Sequence, residues 1–399
     1  MATYRGCRSA VVKTVHSRLA VFAIFAAGPI WYGCSEDAIS PFTPGGGAVA
    51  ASYSMVAAGG AHTCGISDRG TFCWGRGDAG QLGDGGGEDR SIPTPLFASL
   101  SLTTIETGDL HSCGIMADGR AFCWGEGDDG RLGIGSTVDW PTPALVSATL
   151  TFSSLSLGAE HTCGIGTGGG AYCWGRGDDG RLGLGNSLGR TNPARVLGGD
   201  DFVQVSAGAA HTCGLTGSGE AYCWGLGEDG RLGTGNLQDR LEPVAVVGGH
   251  QFIRITAGFR HTCGITTGGD AYCWGDGSSG QLGTGNALGR LEPAIVPGGI
   301  QFAWVSAGTD HTCGVAGSGA AYCWGTGSNG RLGAGNELDR FEPSIVTGRT
   351  GFTAVDAGAE HTCGRLTDGA AFCWGKGESG RLGTGTDTDR LNVARVVSG

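Results

Sequence analysis

The chain has 399 residues, a formal net charge of −11 at pH 7, and a composition dominated by glycine, which supplies 82 residues. Recognition of nucleic acid relies on clustered lysine and arginine, and this acidic chain has no basic stripe, so nucleic acid is not an expected partner. The sequence also contains 16 cysteines, which, if they are paired, indicate an oxidising compartment.

The first 34 residues carry the features of an export signal. Four basic residues between positions 5 and 18 precede an apolar run, Leu19–Ile30, that is short for a transmembrane helix. Gly33 and Cys34 resemble a bacterial lipoprotein processing site, although Trp31 and Tyr32 stand where that motif usually has Leu and a small residue. We therefore predict an exported protein that is lipidated at Cys34 and held at the outer membrane, at the cell surface or in the periplasm. Plain secretion, and an uncleaved anchor or cytosolic protein, are the alternatives.

Residues 35–52 contain proline, glycine and serine and predict a flexible tether. The tether leads into a sequence that repeats from about Tyr53 to the end of the chain. A His-(Thr/Ser)-Cys-Gly segment recurs after 49 residues and then every 50. The seven copies of this segment begin at His62, His111, His161, His211, His261, His311 and His361. A fixed period of this length indicates a repeat architecture.

Each copy contains four short stretches with the composition of β-strands and no amphipathic helical period. In one copy these stretches are Phe202–Ser206, His211–Thr216, Ala221–Trp224 and Ala245–Val247. The pattern predicts an all-β fold over residues 53–399, a seven-bladed β-propeller with four short strands per blade, and an open solenoid is the alternative. The sequence leaves ring closure open. Either Val393–Val397 completes the blade that begins near Met55, or each repeat forms its own blade.

Two cysteines nine or ten residues apart recur in each copy. Cys163 and Cys173 flank a turn centred on residue 168, so antiparallel pairing places them opposite each other and places Gly164 opposite Tyr172. Opposite residues lie close to disulfide distance, and a bridge across so short a loop contributes roughly 2.5–3 kcal/mol. The predicted disulfides are Cys64–Cys73, Cys113–Cys123, Cys163–Cys173, Cys213–Cys223, Cys263–Cys273, Cys313–Cys323 and Cys363–Cys373.

The order of motifs within each copy resembles a known family. Gly-x-x-His-(Thr/Ser), a strand, a turn, a strand ending in Trp-Gly, and then Gly-x-x-Gly-x-Leu-Gly recur in this order. This order resembles the regulator of chromosome condensation repeat, and the resemblance implies a seven-bladed propeller with one repeat per blade. The family includes the exchange factor for the nuclear GTPase Ran, a plant ultraviolet-B photoreceptor and a secreted bacterial inhibitor of β-lactamase, so the resemblance implies the fold more strongly than the function. The paired cysteines depart from the familiar eukaryotic pattern and favour an exported bacterial relative.

Two activities of this family can be compared with the residues of this sequence. Ran exchange relies on a β-hairpin inserted into one blade, and repeat spacing that never exceeds 50 residues leaves no room for it. The photoreceptor uses tryptophans in Gly-Trp-Arg-His-Thr segments, whereas the nearest match here, Gly258–Thr262, has Phe259 at that place. A regulator of a small GTPase that acts like a guanine-nucleotide exchange factor is kept as the alternative function.

The side chains that recur in every copy favour structural roles. Each repeat histidine could join the cysteines as a zinc ligand, but seven equal copies favour a structural role. The tryptophan after each second cysteine is expected to pack between blades. No copy shows a lone Ser-His-Asp or Cys-His set, or a paired carboxylate that stands out from the repeat. We therefore expect no enzymatic activity, no metal and no cofactor. A propeller hydrolase or lyase is a third possible function, and it would need a cluster of unique carboxylates in the central channel.

Function is expected where the copies differ. The two residues before each repeat histidine vary, and they include Leu110, Phe259 and Arg260, which have the character of interface anchors. Trp140 stands where other copies have Arg, and Trp304 replaces polar residues of its neighbours, so we predict that both are exposed. These five residues form the predicted binding surface of a non-enzymatic scaffold for a protein or glycan ligand, with random drift of a tolerant surface as the alternative. We expect a monomer whose lipid anchor provides its contact with the membrane.

Overall fold

Each repeat folds into one blade. The computed structural model describes residues 51–98, 100–199 and 201–398, and the predicted export signal and Cys34 lie outside these ranges. The described residues form seven antiparallel four-stranded sheets, each with its strands in chain order. The predicted all-β, seven-bladed propeller is therefore confirmed, and the blades are numbered 1 to 7 along the chain. Within the described ranges, no helix has the length and apolar character needed to span a membrane.

The strands occupy equivalent places in all blades. From blade 1 to blade 7, the first strands are Tyr53–Ala58, Leu102–Thr107, Phe152–Leu157, Phe202–Ala207, Phe252–Ala257, Phe302–Ala307 and Phe352–Ala357. The second strands are His62–Ser67, His111–Met116, His161–Gly166, His211–Thr216, His261–Thr266, His311–Ala316 and His361–Leu366. The third strands are Gly70–Gly75, Ala121–Gly125, Ala171–Gly175, Ala221–Gly225, Ala271–Gly275, Ala321–Gly325 and Ala371–Gly375. The fourth strands are Arg90–Pro95, Trp140–Leu145, Arg190–Arg195, Arg240–Ala245, Arg290–Ile295, Arg340–Ile345 and Arg390–Arg395.

Short 3-10 turns follow the third strand in five of the blades. They are Asp128–Gly130, Asp178–Gly180, Glu228–Gly230, Ser328–Gly330 and Glu378–Gly380. Each carries a non-glycine residue at positive φ, such as Asp179 at 60°, a conformation that Asp, Asn and Gly adopt most readily. In these five blades the turns bring the Gly-x-Leu-Gly segment against the neighbouring blade.

The first strands of neighbouring blades contact one another, and the ring closes where blade 1 meets blade 7. The open solenoid is therefore excluded. Closure involves no exchanged strand, because Arg390–Arg395 pairs with the third strand of its own blade. Of the two ways of closing the ring that the sequence leaves open, the structure has the second, in which each repeat is its own blade.

The seven disulfides form at the predicted positions. In blade 3, Cys163 lies opposite Cys173 and Gly164 opposite Tyr172, which is the predicted register. Each bridge joins the second and third strands of one blade, with the two Cα atoms 4.1 Å apart. All of these cysteines are fully buried. The bridges therefore lie inside the packing between blades and are shielded from solvent.

A tryptophan fills each contact between blades, as predicted. Trp224 of blade 4 is fully buried and packs with Cys163 and Leu182 of blade 3. Its indole nitrogen donates to the carbonyl oxygen of Arg181 at 3.0 Å. Gly183 has a φ of +69°, and a Cβ atom there would lie 2.8 Å from Nε1 of Trp224. This glycine of the Gly-x-Leu-Gly segment is therefore needed for the indole of the next blade to approach.

The repeat histidines join neighbouring blades. Nε2 of His161 lies 2.8 Å from Oγ1 of Thr212, whose hydroxyl donates to the carbonyl oxygen of Arg181. The equivalent contact occurs between all seven neighbouring pairs of blades, with a serine at one of them. Burial lowers the pKa of His62 to about 3 and that of His261 to about 4. The histidines are therefore neutral near pH 7 and have the structural role predicted for them.

Candidate functional site

Two side chains of each first strand reach toward the next blade around the axis. In blade 4, the third residue of the strand is Gln204, which donates from Nε2 to the carbonyl oxygen of Ile255 at 2.9 Å. The fifth residue is Ser206, whose hydroxyl oxygen accepts the amide of Ala257 at 2.9 Å. These two positions line the inner edge of the contact between blades. Substitutions there change the side chains at the inner edge of the channel, although Met55 and Trp304 also pack against the hydrophobic core.

The third position differs most between blades. Its residues are Met55, Thr104, Ser154, Gln204, Arg254, Trp304 and Ala354. Arg254 donates from Nε to the carbonyl oxygen of Val305 at 3.3 Å, and Trp304 donates from Nε1 to the carbonyl oxygen of Val355 at 2.7 Å. The guanidinium carbon of Arg254 lies 3.2 Å from the centre of the Trp304 ring. Blades 5 and 6 therefore present a cation–π pair at the axis.

The fifth position carries two carboxyl groups. Its residues are Ala57, Glu106, Ser156, Ser206, Thr256, Ser306 and Asp356. In four blades a side-chain hydroxyl accepts a hydrogen bond from a backbone amide of the next blade. Asp356 accepts a hydrogen bond from the amide of Ala58 in the same way, at 2.8 Å. Asp356 also accepts a hydrogen bond from Ser306 at 2.8 Å. The longer side chain of Glu106 has no hydrogen-bond partner among the described residues.

Blades 1, 2, 5, 6 and 7 together line a cavity of about 320 Å³ near the axis. Its charged and aromatic lining residues, which we call the central cluster, are Glu106, Arg254, Trp304, Asp356 and Arg365. Small side chains, such as Ala57 and Ala354, leave the space open. Arg365 stands at a position of the second strand where the other six blades carry Ile, Leu or Val. Glu106, Asp356 and Arg365 are therefore departures from the repeat, whereas Arg254 and Trp304 occupy its most variable position.

Burial shifts the titration of the central cluster. It raises the pKa of Glu106 to about 8, with Asp356 adding to the shift and Arg254 opposing it. Burial also raises the pKa of Asp356, against the stabilising hydrogen bonds from Ala58 and Ser306. Burial lowers the pKa of Arg254 to about 10, against the attraction of the two carboxyl groups. Near pH 7 the cavity thus holds a guanidinium cation beside the mostly protonated carboxyl group of Glu106.

Two carboxyl groups that stand out from the repeat come together across blades, in a way that no single copy shows. Glu106 and Asp356 are 250 residues apart in the sequence and line the same cavity. The signal was present in the alignment of the copies, because the other five blades carry Ala, Ser or Thr at this position. A search within single copies misses it, because the two carboxyl groups belong to different blades and meet only when the ring closes.

The turns before the repeat histidines surround one mouth of the channel. Residues from all seven blades line this opening of about 260 Å³, including Asp109 and Phe259. A neighbouring groove of about 330 Å³ is lined by Asp109, Glu160, Phe259 and Arg260, among others. Phe259 is 44% exposed, and Arg260 lies 3.9 Å from Asp229. The mouth therefore presents an aromatic ring and a guanidinium group beside several carboxylates.

The five residues of the predicted binding surface lie in three different places. Phe259 and Arg260 line the groove at the mouth, and the half-buried Leu110 follows the mouth residue Asp109 in the chain. Trp140 is 43% exposed and begins the fourth strand of blade 2, away from the channel. The prediction that Trp304 is an exposed contact residue is wrong, because Trp304 is half-buried and lines the cavity. A binding role for the mouth residues stays a prediction.

Comparison with known proteins places the fold. A family model described as the RCC1-like domain matches residues 70–398. Human WBSCR16 superposes with a TM-score of 0.73 at 22% identity, over 82% of this chain and 93% of that one. Prp20p from Saccharomyces cerevisiae gives a TM-score of 0.73 at 22% identity, over 82% and 85% of the two chains. The ectodomain of the Arabidopsis thaliana receptor kinase ACR4 gives 0.51 at 22% identity, over 82% and 98%. No curated protein sequence matches the chain.

Proposed function

This chain belongs to the RCC1-like domain family, and from that premise we propose that it is an exported, non-enzymatic propeller that binds a protein or glycan ligand at the channel mouth. The observation that carries the proposal is the groove lined by Phe259 and Arg260 beside the carboxylates of Asp109 and Glu160. Binding sites on a propeller are carried by the loops at its ends, while the blades supply a rigid frame.

The chemistry of the mouth favours a protein over a glycan. Aromatic and arginine side chains dominate the binding energy of protein interfaces, and here both are exposed side by side. The carboxylates around them suit basic residues of a partner, because opposite charges across an interface steer association. We therefore propose a protein partner that presents an apolar group flanked by positive charge.

A photo-crosslinking residue in place of Phe259 tests the mouth as the binding face. The experiment uses the full-length protein in its native host. We expect an adduct of defined mass that disappears when Arg260→Ala is added. The matched control carries the crosslinker in place of Leu241, which is 41% exposed in the fourth strand of blade 4. No adduct from position 259, or the same adducts from both positions, would refute a binding role for the mouth.

We also propose export and lipidation at Cys34. The basic and apolar segments before Cys34 support this proposal, and so do the seven disulfides, because disulfides persist in oxidising compartments. The test is the intact mass of the protein purified from its native host. We expect residues 1–33 to be missing, acyl mass to be present, and reduction to add about 14 Da, two for each bridge. A full-length chain with free thiols would show that the protein is not exported.

The alternative is a regulator of a small GTPase. It draws support from the structural likeness to Prp20p, whose structure was described together with its binding to Gsp1p and histones. The even repeat spacing, which has no room for an inserted hairpin, argues against it. Release of a fluorescent guanine nucleotide from small GTPases of the host distinguishes the two functions. Acceleration by the purified propeller would favour the alternative, whereas unchanged release is expected.

A further inference from the structure

We propose that the cavity at the axis is a binding site for a small zwitterion of the amino-acid class, whose carboxylate pairs with Arg254 and whose ammonium group pairs with Glu106 and Asp356. The inference concerns the inside of the channel, and it is independent of what binds at the mouth. It rests on the observation that residues which differ from those of the other blades line one cavity.

The central cluster collects residues that the repeat does not require. At the fifth position of the first strand, Ser and Thr form the contact between blades in four copies, so Glu106 and Asp356 are not needed for that contact. At the third position, Gln204 also makes the contact between blades, so the contact does not require an arginine. Burying charge is unfavourable unless it is paired. Two carboxyl groups and two guanidinium groups nevertheless line one cavity.

Arg254 is positioned to receive an anion. The Trp304 ring supports its guanidinium plane at 3.2 Å, and its Nε atom donates to the carbonyl oxygen of Val305. These two contacts fix the plane of the group. No carboxylate among the described residues hydrogen-bonds to Arg254, although Glu106 and Asp356 are close enough to attract it electrostatically. The terminal nitrogens of a fixed guanidinium group match the two oxygens of a carboxylate.

The carboxyl groups are positioned to receive a cation. Glu106 lines the cavity without a hydrogen-bond partner in the described residues. Asp356 is held in place by the amide of Ala58 and the hydroxyl of Ser306. Each carboxylate oxygen can accept more than one hydrogen bond, and a primary ammonium group has three donors to distribute. An ammonium group between these side chains would favour the ionised form of Glu106 and could donate hydrogen bonds to its oxygens.

The central cluster offers partners for both kinds of charge, because Arg254 attracts an anion and the carboxyl groups, when ionised, attract a cation. A ligand with a single charge would use only one side of the central cluster. A zwitterion satisfies both sides at once. The cavity volume of about 320 Å³ is at the low end of the range for small-molecule sites. It therefore suits a molecule of amino-acid size better than a peptide or an oligosaccharide.

The test measures binding of free amino acids to the full-length, oxidised protein by calorimetry, with thermal shift as a screen. The probes are the common L-amino acids, each compared with its methyl ester, which lacks the carboxylate, and its N-acetyl derivative, which lacks the ammonium group. We expect at least one free amino acid to bind, and each blocked form of it to bind at least tenfold more weakly. Absence of binding by every amino acid, or equal binding of a blocked form, overturns the proposal.

Two substitutions taken from the protein's own repeat separate binding from folding. Arg254→Gln introduces the residue of blade 4 at the same position, and Glu106→Ser introduces the residue of blades 3, 4 and 6. Both residues are compatible with the fold at that place, so we expect each variant to fold and to bind the amino acid at least tenfold more weakly. Leu241→Ala, in the exposed fourth strand of blade 4, is the control and should bind it normally. Unchanged binding by both cavity variants overturns the proposal.

Discussion

Nε2 of His361 in blade 7 lies 2.8 Å from Oγ1 of Thr63 in blade 1. The hydroxyl of Thr63 in turn donates to the carbonyl oxygen of Arg381 at 2.8 Å. The same pair of bonds occurs between blades that follow each other in the chain, for example from His161 to Thr212. The contact between blades 7 and 1, which we call the seam, is thus held by side chains in the same way as the other contacts.

Thr63→Val is expected to destabilise the propeller by about 1–3 kcal/mol. The substitution keeps the shape of the side chain but leaves Nε2 of His361 and a buried carbonyl oxygen without a partner, which costs free energy. Chemical denaturation of the oxidised protein measures the effect. Thr63→Ser should cost much less, because Ser112 makes the equivalent contact with His62. The exposed Thr137 provides a control, since Thr137→Val should change little. Equal stabilities of Thr63→Val and the wild type would contradict the role of this contact.

Removal of one disulfide is expected to cost roughly 2.5–3 kcal/mol. The change is the double substitution Cys213→Ala and Cys223→Ala, which opens a loop with a sequence separation of 10. Denaturant unfolding without reductant measures the loss. In a strong reductant the wild type and the double variant should become nearly equal, because all bridges are then absent in both. A double variant as stable as the oxidised wild type would show that the bridge contributes nothing to stability.

The protein is expected to lose stability as the pH falls below about 6.5. Burial holds the pKa of every repeat histidine below that of the unfolded chain, which is about 6.5. The unfolded state therefore binds more protons in acid, and each imidazole removes about 1.4 kcal/mol per pH unit until its folded pKa is reached. Glu106 has the opposite effect on stability. Its pKa is raised to about 8 in the folded state, so below that pH the folded state binds a proton more tightly than the unfolded chain does, and acid stabilises the fold at this residue.

Unfolding free energies at several pH values between 7 and 4.5 check this prediction. The seven histidines outnumber the two carboxyl groups of the cavity, so the free energy of unfolding should fall with decreasing pH. The slope of this free energy against pH should correspond to the uptake of several protons on unfolding. A flat profile over this range would mean that the imidazoles are not buried in the folded state. The disulfides stay oxidised throughout, so the comparison isolates protonation.

Arg365→Ile is expected to stabilise the protein by about 1–3 kcal/mol, the gain from burying an aliphatic side chain. Arg365 lines the cavity at the seam, at a position where blades 1, 2, 3 and 5 carry Ile. Thermal unfolding measures the gain. The reverse change in a regular blade, Ile165→Arg, should be strongly destabilising, because Ile165 is buried in the core between blades 3 and 4. Loss of stability in Arg365→Ile would show that the guanidinium group has structural partners.

Much of the fold followed from local patterns in the sequence. The position of each turn gave the register of the hairpin, and the register placed Cys163 opposite Cys173. The central cluster did not follow, because its members come from different blades. The sequence predicts Trp304 at the surface, but the strand has a register shift between Phe302 and Trp304, and closure of the ring turns this position toward the axis. The repeat period and the residue pattern of the strands predict a single blade, whereas the channel forms only when all seven blades close into a ring.

Each blade consists of one uninterrupted stretch of chain. The chain can therefore begin at any blade without breaking a sheet. A circular permutant that starts at Phe202, with Arg395 joined to Tyr53 by a short linker, would cut no hydrogen-bonded ladder. In such a permutant the seam would be crossed by covalent chain, and the break would move to the contact between blades 3 and 4. In the natural order, the cavity at the axis borders the one contact between blades that can part without stretching a connecting loop. The permutant would therefore place a covalent connection beside the cavity, where the natural order of blades has none.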